Sequence, residues 1–153
     1  MKPARKDETT LDLLAHEGLL DAKAVAQAQA RARERGETPA EAAVADGMVA
    51  EKDVAKTLCK HLSLPYIDAT RYFIKREIVE IMPLEFWEKN HVIPLDRIGR
   101  ILIVAAADML PRNVIEEVEA ASNCDVRIYI STFTSLMQAL RILKEQLQVR
   151  SQA

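Results

Sequence analysis

The hydrophobic pattern of the N-terminal part of the chain is duplicated. Residues 38–61 repeat residues 9–32 in altered form, at a constant offset of 29 positions and without a gap. The aligned pairs are Gly18 with Gly47, Glu17 with Asp46, Leu19-Leu20 with Met48-Val49, and Val25-Ala26 with Val54-Ala55. Such a repeat predicts two copies of one helical motif, which are too few for a solenoid because a solenoid needs three or more units to share a core.

Each copy is typical of a helix, a tight glycine turn, a buried apolar pair and a second helix. Gly18 and Gly47 are placed to end the first helix in a left-handed conformation. Asp21 is placed to cap the next helix, and Thr38 to Glu41 with proline at the first helical position form a capping-box pattern. The predicted helices lie near residues 9–17, 21–35, 39–46 and 51–62.

The pattern changes after the duplicated part, where Pro65 favours extended backbone before it. Short helices are predicted near residues 75–81 and 84–90, then strands at 91–96 and 100–107 around a turn with Gly99. A helix at 113–121, a strand at 125–131 and an amphipathic helix at 132–147 follow. The predicted fold is therefore α+β: a helical subdomain of two tandem helix-turn-helix repeats packed beside a small α/β sandwich of order β-β-α-β-α.

The predicted domain organisation follows from this change of period. Residues 1–8 are polar and are expected to be a disordered N-terminus. Residues 9–62 form the helical repeat subdomain, residues 63–147 the α/β subdomain and residues 148–153 a C-terminal tail. Residues 62–70 are expected to join the two subdomains.

Composition indicates a soluble, cytoplasmic protein. Apolar residues make up 49% of the chain and charged residues 29%, with a net charge of −2. This balance favours neither disorder nor a generic nucleic-acid surface. The longest apolar run, 101–107, has the length of a strand, so no direct membrane insertion is expected. Cys59 and Cys124 stand apart from each other and from clustered histidines, which favours reduced thiols over a disulfide or a metal site.

The motifs that would make this chain an enzyme are missing. The glycines at positions 18, 36, 47 and 99 cannot be arranged into a Walker A loop or a dinucleotide fingerprint. Histidines 16, 61 and 91 belong to different predicted elements, and no serine or cysteine lies in a nucleophile-elbow context. No acid, base and nucleophile can be named together, so we expect no catalytic activity.

A few residues allow a functional and a structural interpretation. Asp108 follows a predicted strand, where α/β sites gather, but ordering of the turn into the next helix is the favoured interpretation. The basic run from Arg31 to Arg35 suits the end of a helix and is also a possible anion site. Trp87 and Phe86 are expected to serve as core and surface lid rather than as a base-stacking platform, because no basic or aromatic companions flank them.

The order and spacing of the segments resemble the N-terminal domain of the assembly ATPases of type II secretion and type IV pilus systems, including its cyclic di-GMP-binding version. The resemblance covers about residues 9–147. It includes the duplicated motif with its spacer 33–37, HLSLPYID, IMPLEFWEKNHVIPL, RIGRILIVAAAD and NVIEEVEAASNCDVRIYIS. It implies a protein-docking and regulatory module that links a motor ATPase to an inner-membrane platform protein. It also implies a cytoplasmic location, peripheral to the inner membrane through a partner.

The departures from the family pattern bear on ligand binding. In family members that bind cyclic di-GMP, each repeat typically begins with Arg-Leu-Gly and ends with Gln. Here the openings are Thr-Thr-Leu and Thr-Pro-Ala, and the closing positions hold Ala32 and His61. Arginine supplies a planar fork for a guanine edge or a phosphate, which these residues do not. A non-catalytic docking module is therefore expected, and no cofactor.

A cyclic di-GMP sensor is the alternative function. The candidate residues for a cyclic dinucleotide are of three kinds. Gly18 and Gly47 match the family motif, and Arg33, Arg35 and His61 would replace the usual contacts. Asp108, at the end of a predicted strand, is a further candidate. A helical scaffold unrelated to secretion is a further alternative. For the docking module, residues 92–103 and 133–147 are expected to flank the contact, because they carry more apolar side chains than so small a layer hides. The sequence leaves open whether the chain is part of a larger ATPase or a free-standing adaptor.

Overall fold

The structure is a computed structural model that describes the backbone of residues 9–152 and the side chains of residues 9–148. The predicted disordered segment 1–8 lies outside the described residues. The chain divides into two compact units between Leu64 and Pro65. The sequence-based boundary lies two residues earlier. We refer to the parts before and after this point as the helical unit and the mixed unit.

The helices of the helical unit are α1 (Thr10–His16), α2 (Ala22–Arg35), α3 (Pro39–Ala45) and α4 (Glu51–Leu62). The Asp21 carboxylate accepts from the Ala24 N–H at 2.7 Å and caps α2, as predicted. The glycine and serine that end α2 and α4, Gly36 and Ser63, are both left-handed.

The two copies begin with equivalent hydrogen bonds. The Thr9 hydroxyl oxygen accepts from the Asp12 N–H at 3.2 Å, and the Thr38 hydroxyl oxygen accepts from the Glu41 N–H at 3.2 Å. In the first copy the Asp12 side chain also accepts from the Thr9 N–H at 3.0 Å, which completes a capping box. These bonds satisfy N–H groups that have no partner within the helix.

The first helix of each copy also ends in the same way. The Gly18 N–H donates to the Ala15 carbonyl at 3.0 Å, and the Gly47 N–H donates to the Val44 carbonyl at 3.1 Å. Both glycines have left-handed backbone, with φ of +75° and +73°. The offset of 29 residues seen in the sequence thus relates the hydrogen bonds of the turns, and the predicted duplication is confirmed.

The copies are not independent in their packing. Helix α1 packs against α4, and α2 packs against α3, so each helix has its main partner in the other copy. The α2–α3 contact is built from alanine, with Ala28, Ala32 and Ala42 buried. Small side chains let two helices approach closely. The α1–α4 contact instead buries the larger Leu14 and Leu58.

The mixed unit has the predicted α+β order. After a 3₁₀ turn at Ala69–Arg71, its elements are α5 (Arg76–Val79), α6 (Leu84–Asn90), β1 (Val92–Ile98), β2 (Ile101–Ala106), α7 (Arg112–Ser122), β3 (Asp125–Ile130) and α8 (Phe133–Gln152). The strands lie in the order β1-β2-β3; β1 and β2 are antiparallel, whereas β2 and β3 are parallel. The β-β-α-β-α order is confirmed.

Some boundaries differ from the prediction. Helix α8 continues to Gln152, five residues beyond its predicted end at Leu147. Residues 148–152 contain no proline or glycine that would end the helix. Strand β1 extends to Ile98 and has a bulge between Pro94 and Asp96 that the sequence pattern did not indicate.

Trp87 lies at the centre of the mixed unit's core. Its side chain is fully buried, and its indole N–H donates to the Val79 carbonyl at 2.9 Å. The Phe86 ring contacts it edge to face with centroids 5.5 Å apart. The predicted core position of Trp87 is confirmed.

Candidate functional site

The residue before each turn glycine is an acid, at a position where an acid is unfavourable by itself. Glu17 is the C-cap of α1, and Asp46 is the C-cap of α3. The C-terminus of a helix carries partial negative charge, which repels a carboxylate. Both acids therefore need cations from elsewhere in the helical unit.

Two arginines hold the Asp46 carboxylate from both sides. Arg31 Nε lies 3.2 Å from Oδ2, and an Arg35 terminal nitrogen lies 2.9 Å from Oδ1. Arg31 and Arg35 are one helical turn apart on α2, so their guanidinium groups lie on the same face. The Asp46 side chain is 18% exposed, against 43% and 36% for the two arginine side chains. Hydrogen bonding to Asp46 raises the pKa of Arg35 above its ordinary value.

Glu17 has an equivalent set of partners on α4. Its Oε1 atom lies 2.8 Å from Lys60 Nζ and 2.7 Å from His61 Nε2. The pKa of Glu17 lies below its ordinary value. The hydrogen bond from Lys60 is the largest cause, and the hydrogen bond with His61 is the next. The His61 ring also meets the His16 ring edge to face, with centroids 5.9 Å apart. We call this group the Glu17 clamp, and the Asp46–Arg31–Arg35 group the Asp46 clamp.

The two clamps are related by the sequence repeat. Glu17 and Asp46 are 29 residues apart, and so are Arg31 and Lys60. In each clamp the acid ends the first helix of one copy, and the cations lie on the second helix of the other copy. The clamps thus join the copies reciprocally, in the same pairing as the helices themselves.

The structure assigns each predicted cationic ligand residue a contact within the helical unit. Arg35 belongs to the Asp46 clamp and His61 to the Glu17 clamp. Arg33 is exposed, and its Nε donates to the Gln29 carbonyl at 3.4 Å. The structure brings Arg35 to the turn that contains Gly47, and His61 to the turn that contains Gly18. In this arrangement the Arg35 guanidinium and the His61 ring each contact a carboxylate of the same chain.

The turn glycines are explained by their backbone. A Cβ atom built on Gly18 or Gly47 would meet nothing within 4 Å. The positive φ angles alone favour glycine at both positions, because side chains strain left-handed backbone. The surface over both turns is therefore open.

Asp108 belongs to the mixed unit and follows β2. Its Oδ1 atom accepts from the Met109 N–H at 2.7 Å, and the residue is half-buried. This contact supports the turn-ordering interpretation. The cysteines are both free thiols, and burial raises the pKa of Cys59. Within the part of the chain that the structure describes, no group of three or more His, Cys, Asp or Glu side chains is arranged to hold a metal ion.

The mixed unit exposes large apolar side chains. Ile98, at the β1–β2 turn, is 61% exposed and pairs with Ile101 across the two strands. Ile101 and Ile103 are half-buried and lie on the same face of β2 as each other, because side chains alternate along a strand. We call Ile98, Ile101 and Ile103 the hairpin strip. Phe73, in the loop before α5, is 69% exposed.

Charged residues border the hairpin strip on both sides. Asp96 pairs with Ile103 on one side, and Arg127 pairs with Ile103 on the other. Asp125 pairs with Ile101. An apolar centre with a charged rim is the usual composition of a protein-binding surface.

Neither clamp was predicted from the sequence. Glu17 aligns with Asp46 in the repeat, and Arg31 lies in the basic run, but the pairing of Arg31 with Lys60 at the same offset went unrecognised. The signal was available, because these two cations share the offset of the two acids. What the sequence could not supply was the exchange of partners between the copies.

The chain joins a duplicated helical unit to a unit of order β-β-α-β-α, which is the element order expected from the family resemblance. The chain belongs to the MshEN domain family, whose model matches residues 62–148. No helix within residues 9–152 is long and apolar enough to cross a membrane.

Particular relatives agree with this assignment. The chain is 25% identical over 131 residues to the type IV pilus assembly ATPase PilB of Myxococcus xanthus, covering 84% of this chain and 23% of that protein. It is 29% identical over 125 residues to PilB of Thermus thermophilus, covering 80% of this chain and 14% of that protein. The chain therefore spans less than a quarter of the length of these relatives.

Solved structures share the fold. A structure of MshE with cdg has a TM-score of 0.66 at 21% identity and covers 88% of this chain and 97% of that one. The N-terminal domain of XpsE has a TM-score of 0.72 at 19% identity and covers 92% of this chain and 97% of that one. The likeness to the N-terminal domains of secretion and pilus ATPases, expected from the sequence, is confirmed.

Proposed function

We propose that this chain is a non-catalytic docking and regulatory module of a type II secretion or type IV pilus assembly system. It links a motor ATPase to a platform protein of the inner membrane, on the cytoplasmic side. Membership of the MshEN family and the similarity to the pilus ATPases named PilB support the choice of machinery. The docking role rests on the surface of the mixed unit.

The observation that carries the docking role is the hairpin strip. Ile98 is 61% exposed, although burying an isoleucine side chain is worth about 1.5–3 kcal/mol. Its strand partner Ile101 is half-buried, and Ile103 packs partly against the core. Asp96 and Arg127 flank Ile103 with opposite charges. A partner that covers the strip gains apolar burial and can fix its register through the charged rim.

Two-hybrid pairing tests this role against the motor ATPase and the inner-membrane platform protein encoded in the same genome. We expect Ile98→Lys to abolish pairing with at least one of them, because a lysine places a charge at the centre of the buried surface. Met137→Lys tests the exposed face of α8, where Met137 is 45% exposed. Glu116→Lys, at an exposed position on α7, is the matched control and is expected to retain pairing.

Two results would count against the docking role. One is pairing that survives both Ile98→Lys and Met137→Lys. The other is a wild-type chain that pairs with neither protein although it is expressed and folded.

A cyclic di-GMP sensor is the second candidate function, and the fold shared with MshE, which has been solved with cdg, favours it. Gly18, Arg33, Arg35, Gly47 and His61 are its candidate contacts in the helical unit, with Asp108 a further candidate in the mixed unit. Because Arg35 and His61 already face carboxylates, we expect no micromolar affinity for the wild-type chain. Isothermal titration that gave such affinity, with hydrogen-exchange protection of residues 9–61, would establish the sensor instead.

A further inference from the structure

The clamps of the helical unit have the form of anion sites that are already filled. A carboxylate held through both oxygens by two guanidinium groups is the usual way in which arginines bind a carboxylate or phosphate. In the Asp46 clamp these contacts are 3.2 Å and 2.9 Å long. The acid is the less exposed partner, and the arginine side chains remain 43% and 36% exposed, so the cation pair stays reachable from solvent.

The position of the acids makes this arrangement informative. A carboxylate at a helix C-terminus is repelled by the helix, yet both copies place one there. The cations lie near the ends of α2 and α4, where positive charge is favourable with or without a partner. The cations would therefore remain in place if the acids were neutralised. Arg31 and Arg35 would then present paired positive charge beside the open surface over Gly47. Lys60, with the His61 ring beside it, would present its charge near the open surface over Gly18.

We propose that Asp46 and Glu17 are the residues that close the helical unit to phosphate-bearing ligands. Arg31 with Arg35, and Lys60 with His61, form two anion sites of the phosphate class. Each site is occupied by a carboxylate of the same chain, supplied by the other copy of the repeat. The copies are thus held together without a diffusible anion. This inference concerns the helical unit and does not depend on the docking role of the mixed unit.

Titration of the whole chain with inorganic pyrophosphate tests the proposal. Nitrogen-15 NMR follows the Nε–H signals of Arg31 and Arg35, and circular dichroism confirms helical content in each variant. In the wild-type chain these signals are expected to stay in place. In Asp46→Asn the two signals are expected to shift until they saturate, because the cation pair loses its internal partner. The apparent affinity of this variant for pyrophosphate is expected to be about tenfold or more above that of the control variant described below.

The control is Glu34→Gln. It lies on α2 beside Arg35 and changes the net charge by the same amount, but the carboxylate that it removes is not part of either clamp. A comparison with this variant separates an opened site from a general gain of positive charge.

Glu17→Gln repeats the test at the other clamp, through the Lys60 ammonium and His61 ring signals, and decides the outcome if Asp46→Asn does not fold. The proposal is supported if a folded variant gains saturable binding at its own cations. It is overturned if the folded variants bind pyrophosphate no better than Glu34→Gln, or if wild-type Arg31 and Arg35 respond as strongly as the Asp46→Asn variant.

Discussion

The Glu17 carboxylate and the Lys60 ammonium are 2.8 Å apart, although 43 residues separate them in the chain. Asp46 and Arg31 repeat this contact with the roles of the two copies exchanged. The helices pair in the same crosswise way, because each helix packs mainly against a helix of the other copy. We therefore expect the helical unit to unfold as one cooperative unit rather than copy by copy.

The Glu17 clamp makes the stability of the helical unit depend on pH. Contacts with Lys60 and then His61 lower the Glu17 pKa below its ordinary value of 4.5. A carboxyl group with a lowered pKa in the folded state stabilises the protein above its unfolded pKa, and this contribution is lost as pH falls through the folded pKa. The wild-type chain is therefore expected to be more stable than Glu17→Gln near neutral pH, and the difference is expected to vanish below the lowered pKa.

Urea denaturation followed by circular dichroism, in a series of buffers from about pH 7 downward through the acid range, measures this difference. Because the Lys60 side chain is 69% exposed, added salt is expected to reduce the difference at the higher pH. Glu34→Gln serves as the comparison, since Glu34 is outside the clamps. A difference between wild type and Glu17→Gln that is unchanged at low pH would show that the carboxylate charge is not the cause.

The turn glycines provide a prediction about backbone strain. Gly18→Ala and Gly47→Ala are each expected to lower the free energy of unfolding by about 1 kcal/mol, because an L side chain disfavours left-handed backbone. No neighbouring atom lies within 4 Å of the added carbon, so steric contact adds nothing to this cost. Asparagine tolerates left-handed backbone better than alanine, so Gly18→Asn is expected to cost less than Gly18→Ala.

Thermal and urea denaturation of the three variants checks this order. Equal losses for Gly18→Asn and Gly18→Ala would contradict a purely conformational cost. A loss of several kcal/mol would do the same, because it would require a contact that the structure does not contain.

Features governed by local chain chemistry were predictable from the sequence. The cap at Asp21, the turns at Gly18 and Gly47 and the buried Trp87 depend on neighbouring residues or on a clear hydrophobic pattern. The order of strands and helices in the mixed unit followed in the same way, since period and turn residues change together. This part of the fold required no knowledge of long-range contacts.

The candidate site was less predictable because it depends on which copy faces which. Arg35 and His61 were identified as possible ligand residues, but their carboxylate partners lie on helices of the other copy. The bulge in β1 and the end of α8 were missed for a related reason. Register shifts and helix ends are decided by small differences in hydrogen bonding that composition does not record.

The fully buried indole of Trp87 gives a prediction for the core of the mixed unit. Trp87→Phe removes a hydrogen bond to the Val79 carbonyl and leaves a small void, which together are expected to cost about 1–3 kcal/mol. Circular dichroism is the suitable measurement, because the variant loses the chain's single tryptophan. Tyr66→Phe, at a 54% exposed aromatic residue, is the control and is expected to stay within about 0.5 kcal/mol.

The outer edge of β3 provides the last prediction. The Asp125 and Ser131 N–H groups donate to carbonyls on the β2 side, at Arg100 and Ala106, so the N–H groups of the even-numbered residues point away from β2. The Val126 N–H donates to Glu119 Oε2 at 3.1 Å, and the Ile130 N–H donates to the Pro65 carbonyl at 2.8 Å. The Glu119 side chain thus covers the Val126 end of the outer edge of β3, and the backbone at Pro65 covers the Ile130 end.

Glu119→Ala uncovers the Val126 N–H and is expected to lower the free energy of unfolding by about 1 kcal/mol. It is also expected to increase self-association, because an uncovered strand edge is a template for pairing with another chain. Glu119→Gln keeps an acceptor oxygen and is expected to restore most of both properties. Urea denaturation and light scattering distinguish the variants. If Glu119→Gln associated as strongly as Glu119→Ala, the lost negative charge would be the cause, and the cap on the strand edge would not.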